Sequence, residues 1–237
     1  MKCLIIAAGF GSRLREVSDS KPLTPVAGTP LIEHIVRRSA AGGATSFVVV
    51  TGHEAEAVER FVANLSERTG LPIECVRTPD WSLPNGYSVM SGIAHADGER
   101  FILLMADHIF DPAILAGLIA SQPAGDELRL AVDRRLDNPA VDLEDVTCVA
   151  TDSAGRIVRI GKLLETYDCF DTGIFTATPA LGEAIAASIA AGGKGSLSEG
   201  VKALAERGLA STFDAGDLWW LDVDDRKAYD MAEAALS

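Results

Sequence analysis

Short apolar runs alternate with amphipathic segments along the first half of the chain. The runs are continuously apolar or rich in β-branched residues, which is typical of parallel strands buried on both faces. The segments between them have helical periodicity: over 54–68, one face is apolar and the other is acidic. This alternation predicts a doubly wound α/β sheet. The predicted strands are Lys2–Ala7, Ser46–Thr51, Ile73–Arg77 and Phe101–Met105, and the predicted helices cover 31–42, 54–68, 87–97 and 111–121.

The pattern changes after about residue 125, where strand-like runs follow one another with few helices between them. Ser153-Ala154-Gly155 has the residues of a hairpin turn. There is no low-complexity linker and no internal repeat, so we expect one domain over 1–237, made of a first half (about 1–125) and a second half (about 126–237). The second half should extend the sheet, which becomes mixed but mostly parallel, and close a pocket. Its predicted elements are strands at Leu128–Arg134, Val146–Thr151, Ile157–Lys162, Phe170–Thr176 and Leu218–Val223, and helices over 178–191, 196–207 and from about 225.

Composition narrows the classes of partner. The 237 residues are 48% hydrophobic and carry a net charge of −13, which argues against a general binder of nucleic acid or anionic membranes. The four cysteines lie far apart and form no Cys-x-x-Cys pair. No signal peptide is apparent, and no apolar run approaches the ~18 residues of a membrane span. We therefore expect a cytoplasmic protein without membrane insertion.

The loop after the first predicted strand carries the strongest functional signal. Gly9-Phe10-Gly11-Ser12-Arg13-Leu14 is followed by Lys21-Pro22-Leu23. Small residues let backbone N–H groups approach a phosphate, and the two cations supplement them. A P-loop is excluded because no Gly-Lys-Ser/Thr is present. A dinucleotide site fits poorly, since Leu14 stands where the third glycine is needed. A glycine-rich turn without a ligand is the other alternative.

Two carboxylates should reach the same edge of the sheet. Asp107 follows the strand that ends at Met105, and Asp222 begins an acidic cluster. Carboxylates beside a phosphate loop suit Mg²⁺, so Asp107 and Asp222 are candidate metal ligands. Asp107 also has a structural alternative as the N-cap of the helix over 111–121. Asp224 has the same alternative before the last helix, and there we favour it. His108 is a secondary candidate, because a lone histidine beside a carboxylate more often serves a local hydrogen bond.

Taken together, these motifs resemble a known family. The loop with Lys21-Pro22-Leu23 resembles the signature of MobA-like nucleotidyltransferases that act on sugar phosphates and related phosphorylated alcohols, although Ser20 stands where that signature has proline. The resemblance implies a Rossmann-like fold. Further motifs look like the cytidylyltransferases that activate inositol 1-phosphate. They are Asn85-Gly86-Tyr87-Ser88, Met105-Ala106-Asp107-His108, Arg159-Ile160-Gly161-Lys162, Tyr167-Asp168-Cys169-Phe170-Asp171-Thr172-Gly173 and Leu197-Ser198-Glu199.

The resemblance implies a role for each matched position. The first half would bind the nucleotide and the second half the acceptor. Asn85-Gly86 also has a rival interpretation as a hairpin turn. The implied catalytic residues are Arg13 and Lys21, the nucleotide-binding residues are Ala7, Ala8, Gly9, Gly11, Ser12, Asn85, Gly86 and Ser88, the acceptor-binding residues are Lys162, Asp171, Thr172 and Glu199, and the ligands of Mg²⁺ are Asp107 and Asp222.

The implied reaction moves a cytidylyl group from CTP to inositol 1-phosphate, giving CDP-inositol and pyrophosphate. Related alternatives are another nucleotide, or a sugar 1-phosphate, phosphocholine or phosphonate acceptor. A catalytically silent nucleotide-binding module is the alternative from another class. The resemblance also implies a separate membrane CDP-alcohol transferase that uses the product. Oligomeric state is left open, with a homo-oligomer as one option.

Overall fold

A mixed nine-stranded sheet runs through the protein. The computed structural model describes residues 1–14 and 18–237. Two-stranded ladders β2–β3 and β7–β13 lie outside the large sheet. The strands are β1 (Lys2–Ala7), β2 (Pro25–Val26), β3 (Thr29–Pro30), β4 (Ser46–Thr51), β5 (Ile73–Arg77), β6 (Phe101–Met105), β7 (His108–Phe110), β8 (Leu128–Asp133), β9 (Cys148–Thr151), β10 (Ile157–Gly161), β11 (Cys169–Ala177), β12 (Ala210–Asp214) and β13 (Trp220–Asp222).

Parallel strands from the first half form one side of this sheet, which ends at β5. In register, Ile5 of β1 lies opposite Val49 of β4 and Leu104 of β6, and β5 continues the parallel set beyond β4. The second half joins the same sheet through β11, which runs antiparallel to β6. β9 and β10 form the expected hairpin. The doubly wound α/β fold with a mixed sheet is confirmed.

Helices cover both faces of the sheet and leave the central strands without exposure to solvent. Ile5 packs into the core beneath α1, α2 and α4, whereas Leu4 and Ile6 pack beneath α3, α5 and α6. Burial on both faces explains why β1 is a continuous apolar run. Among the described residues, no helix is long and apolar enough to cross a membrane. The helices are α1 (Leu31–Ala41), α2 (Ala55–Thr69), α3 (Asn85–Ile93), α4 (Pro112–Ala120), α5 (Ala180–Ala190), α6 (Leu197–Glu206) and α7 (Arg226–Leu236).

Three local expectations need correction. The third helix begins at Asn85 rather than Tyr87 and ends at Ile93, so the hairpin interpretation of Asn85-Gly86 is wrong. The pattern also missed β12, whose polar Ser211 and Thr212 lie beside β8. Finally, it missed β7, a three-residue strand that pairs with β13. This last pairing matters for the site, because it places Asp222 directly opposite His108.

Candidate active site

The glycine-rich loop packs its backbone onto Lys21. Gly11 has φ +60°, and a Cβ on it would lie 2.5 Å from the Cβ of Lys21. The next residues form a short 3₁₀ turn, Ser12–Leu14, that carries Arg13; the side chain of Ser12 lies outside the described part. Ala8 is tied back by its carbonyl, which accepts a hydrogen bond from the backbone N–H of His53 at 3.0 Å. The loop thus combines accessible backbone with two positioned cations.

Lys21 lies between two carboxylates of the site, those of Asp107 and Asp224. Its side chain is only 9% exposed, and its Nζ lies 2.6 Å from Oδ2 of Asp107. The same ammonium pairs with Asp224. Burial lowers the pKa of Lys21, but Asp107, Asp222 and Asp224 outweigh it and raise the pKa above its ordinary value. Lys21 is therefore a cation at neutral pH.

Arg13 connects this cluster to the second half of the protein. Its guanidinium pairs with Asp224 and lies 2.7 Å from Oδ2 of Asp145. The other oxygen of Asp145 pairs with Lys162. Desolvation raises the pKa of Asp145, but the hydrogen bonds from Lys162 and Arg13 outweigh it and lower the pKa to about 2. Alternating charges thus form a continuous row from Asp107 to Lys162.

His108 is held by carboxylates on several sides. Its Nδ1 lies 2.6 Å from Oδ1 of Asp107, and its Nε2 lies 3.8 Å from Oδ2 of Asp222. The ring stacks on Trp220, with planes inclined by 10°. Burial lowers the pKa of His108, but Asp222, Asp107 and Asp171 together raise it to about 9. His108 is therefore an imidazolium at neutral pH that orients Asp107.

Asp222 has an unsatisfied oxygen at the centre of the acidic cluster. Its Oδ1 is buried and has no hydrogen-bond partner among the described residues. Burial raises the pKa of Asp222 to about 7, although His108 opposes the shift. Donor atoms of Asp107, His108 and Asp222 lie within 4.8 Å of one another, as do those of Asp145, Asp222 and Asp224. Hard carboxylate oxygens at this spacing can hold a divalent cation.

Two adjoining cavities meet at Arg13, Asp107 and Asp224. The smaller, of about 250 Å³, contains the sequence-predicted residues Ala7, Gly9, Gly11 and Lys21. The larger, of about 320 Å³, contains the sequence-predicted residues Asn85, Lys162, Asp171 and Asp222. The three shared residues stand where ligands in the two cavities would approach each other.

Four sequence-predicted residues serve the fold rather than the cavities. Thr172 is fully buried, and its hydroxyl donates to the carbonyl of Ala131 at 2.8 Å. Glu199 closes a capping box with Ser196 at the start of α6. Gly86 packs against the Gly195 carbonyl, which a Cβ would approach to 2.3 Å. Ser88 is buried within α3. The side chains of Thr172 and Glu199 are both committed to backbone groups, and neither residue lines the two cavities described above.

Two members of the charged row, Asp224 and Asp145, were not predicted from the sequence. Asp224 does not cap the last helix, because the cap is Asp225, which accepts from the backbone N–H of Ala228 at 2.7 Å. Asp107 is not a cap either, since Asp111 caps α4. The alternation Asp222-x-Asp224 in an extended segment could have indicated that both carboxylates share a face. Asp145 had no local signal, because it precedes β9 by two residues in a turn.

Among curated proteins, this chain is similar to relatives whose shared name contains two activities. A protein named bifunctional IPC transferase and DIPP synthase from Rubrobacter xylanophilus is 41% identical over 180 residues, which are 75% of this chain and 38% of that protein. The protein of the same name from Archaeoglobus fulgidus is 30% identical over 236 residues, 100% of this chain and 44% of that one. The chain thus spans less than half the length of these two relatives.

Among solved structures, that of the inositol-1-phosphate CTP transferase from T. maritima is similar over nearly the whole length. It superposes with a TM-score of 0.85 and 25% identity, and the match covers 98% of this chain and 94% of that one. The family model described as "MobA-like NTP transferase domain" matches residues 3–160, more than half of the chain. The chain therefore belongs to the MobA-like NTP transferase family.

Proposed function

We propose that the protein transfers a cytidylyl group from CTP to inositol 1-phosphate, releasing pyrophosphate. The relatives named IPC transferase and the solved inositol-1-phosphate CTP transferase support this choice of substrates. CDP-inositol would then pass to a membrane CDP-alcohol transferase. We place the reaction in the cytoplasm, where CTP is made.

One observation carries the proposal: three cations lie in a row across the junction of the two cavities. Lys21 lines the smaller cavity, Lys162 lines the larger, and Arg13 lines both. Asp224 joins Lys21 to Arg13, and Asp145 joins Arg13 to Lys162. A reaction between two phosphorylated substrates needs positive charge at both phosphates and at the point where they meet. This row provides all three.

The chemistry follows from that arrangement. The acceptor's phosphate is already a nucleophile at neutral pH, so no general base is required. One of its oxygens attacks the α-phosphorus of CTP, a new P–O bond forms, and the bond to the β-phosphate breaks with its electron pair leaving on pyrophosphate. Lys21 would hold the α-phosphate and Arg13 would neutralise the departing charge. Catalysis then comes from alignment and charge neutralisation.

The cluster of Asp107, His108 and Asp222 fits a resident Mg²⁺. Asp107 and Asp222 would hold it, and the buried, unpartnered Oδ1 of Asp222 supports that assignment. Bound there, the cation would supply further positive charge to the triphosphate. His108 would keep Asp107 oriented through its 2.6 Å contact.

The larger cavity suits a polyhydroxylated acceptor. Asp171 lines it beside Lys162, and Ser198 and Asn85 line it from α6 and α3. Carboxylate, hydroxyl and amide groups can each bond a ring hydroxyl, while Lys162 would bind the phosphate. Asn85 is held in place because its Oδ1 accepts from the backbone N–H of Leu197 at 2.9 Å.

The proposal is tested with purified protein, MgCl₂ and pairs of substrates. We expect pyrophosphate release, and CDP-inositol by mass spectrometry, from CTP with inositol 1-phosphate. ATP, GTP, UTP and dTTP are tested in parallel, each with glucose 1-phosphate, phosphocholine and 2-aminoethylphosphonate as further acceptors. A different preferred pair would overturn the substrates and keep the reaction class. Nucleotide binding without pyrophosphate release from any pair would overturn the class.

A further inference from the structure

Among the residues that the structure describes, Asp145 is the one carboxylate of the charged row that contacts both Arg13 and Lys162. One oxygen lies 2.7 Å from Nη2 of Arg13 and the other pairs with Lys162. These are the cations assigned above to the donor's departing phosphates and to the acceptor's phosphate. The carboxylate oxygens of Asp145 therefore occupy the positions beside these two cations that phosphate oxygens would take.

The backbone fixes Asp145 in this position. It lies in the turn that precedes β9, where the carbonyl of Asp142 accepts from the N–H groups of Asp145 at 3.2 Å and Val146 at 2.9 Å. The side chain is 29% exposed and Arg13 is 47% exposed. The pair is partly exposed, so its contribution to stability is modest, and an incoming phosphate with more negative charge can displace the carboxylate from Arg13.

We propose that Asp145 is a displaceable counter-ion that competes with pyrophosphate for Arg13 and so promotes release of that product. The proposal rests on the proposed function, in which Arg13 contacts the departing phosphates. When pyrophosphate occupies Arg13, the hydrogen-bonded turn that carries Asp145 keeps its carboxylate close by. The carboxylate then returns to Arg13 as the product leaves, which disfavours rebinding. Asp145 is thus a positioning residue whose effect should appear in product affinity.

The direct test is titration calorimetry of inorganic pyrophosphate into the protein in EDTA. We expect Asp145→Asn to bind pyrophosphate about two- to fivefold more tightly than the wild type, in line with the loss of one partly exposed ion pair. Asp145→Glu should restore the wild-type affinity. The matched control is Glu144→Gln, which removes one negative charge from the exposed neighbouring residue on the same turn. Unchanged or weaker binding to Asp145→Asn would overturn the proposal.

A double-mutant cycle assigns the effect to Arg13. In the Arg13→Ala background, Asp145→Asn should no longer tighten pyrophosphate binding, because the contested cation is gone. A gain of the same size in both backgrounds would show general electrostatics and refute the specific role. Under turnover, Asp145→Asn should lower the inhibition constant of pyrophosphate by a similar factor.

These outcomes are separable from the choice of substrates. Pyrophosphate binding in EDTA requires neither CTP nor inositol 1-phosphate, so the calorimetric result stands if another substrate pair proves correct. Conversely, turnover of CTP and inositol 1-phosphate by the wild type supports the proposed function even when Asp145→Asn binds pyrophosphate normally. Circular dichroism and thermal melting of each variant confirm that the fold is intact.

Discussion

The stem of Lys21 packs directly against the backbone of Gly11, where a Cβ would lie 2.5 Å from the Cβ of Lys21. Because Gly11 also has φ +60°, no other residue fits without shifting the lysine. The glycine-rich loop therefore does more than expose N–H groups: it sets the position of the ammonium that bridges Asp107 and Asp224.

Gly11→Ala is predicted to impair activity beyond its cost in stability. The left-handed backbone conformation should cost about 1–2 kcal/mol in the free energy of unfolding. Displacement of Lys21 should lower kcat/KM by at least about tenfold, since misplacing a catalytic group by ~1 Å is enough for large losses. Pyrophosphate release and urea unfolding measure the two effects separately.

Gly28→Ala is the matched control for that change. Gly28 has φ +75°, and a Cβ there would meet nothing within 4 Å. It should carry a similar stability cost while kcat/KM stays at the wild-type value. Equal losses of activity in the two variants would contradict the positioning of Lys21 by Gly11.

Arg13→Ala is predicted to abolish most turnover without unfolding the protein. Arg13 is about half exposed, so its loss should leave the melting temperature nearly unchanged. Loss of a cation aimed at developing charge should cost ~3–4 kcal/mol of barrier, a fall of hundreds-fold in kcat. Arg60→Ala removes an exposed arginine of α2 and should leave kcat unaffected. A near-normal kcat in Arg13→Ala would contradict the assigned role.

Substitutions at two adjacent residues of β11 are predicted to differ in effect: one should lower stability and the other should raise the KM for the acceptor. Thr172 donates its hydroxyl to the Ala131 carbonyl inside the sheet, so Thr172→Val should cost about 1–2 kcal/mol of stability and leave the KM for the acceptor unchanged. Asp171 lines the larger cavity, so Asp171→Asn should raise that KM severalfold. Steady-state kinetics with inositol 1-phosphate compare them, and a raised KM in Thr172→Val would restore the original expectation for Thr172.

The difference between what could and could not be predicted has a physical origin. β1, β4, β5 and β6 have the bounds predicted for them, because burial on both faces requires continuous apolar runs. The motif alone does not say which of Asp171 and Thr172 faces the cavity, because neighbouring residues in a strand point to opposite faces.

Asp145 and Asp224 could not be predicted as members of the charged row for a different reason. Asp145 meets Arg13 across 132 positions of sequence, and such contacts leave no local periodicity. Asp224 and Asp225 are adjacent, and either satisfies the N-cap pattern. The structure distinguishes them: Asp225 accepts from the backbone N–H of Ala228, whereas Asp224 pairs with Arg13 and Lys21.

Asp133 is predicted to stabilise the position of Trp220, the ring that stacks on His108. It is completely buried at the end of β8 and accepts hydrogen bonds from Nε1 of Trp220 at 2.8 Å, Nδ2 of Asn138 at 2.8 Å and the guanidinium of Arg135 at 2.9 Å. Asp133→Asn replaces an acceptor with an amide facing these donors. It should cost about 2–4 kcal/mol and loosen the Trp220 ring that stacks on His108.

The pH dependence of that cost tests its electrostatic origin. Burial raises the pKa of Asp133, but hydrogen bonds from Arg135, Trp220 and Asn138 outweigh it and lower the pKa below its ordinary value. The carboxylate's stabilisation is therefore complete above the unfolded-state pKa of about 3.9 and is lost as the pH falls through the folded-state value. Urea unfolding should show a wild-type advantage over Asp133→Asn at pH 7 that shrinks below about pH 4. Asp137→Asn, an exposed change in the following segment, should match the wild type at pH 7, and a pH-independent gap for Asp133→Asn would assign the cost to packing instead of charge.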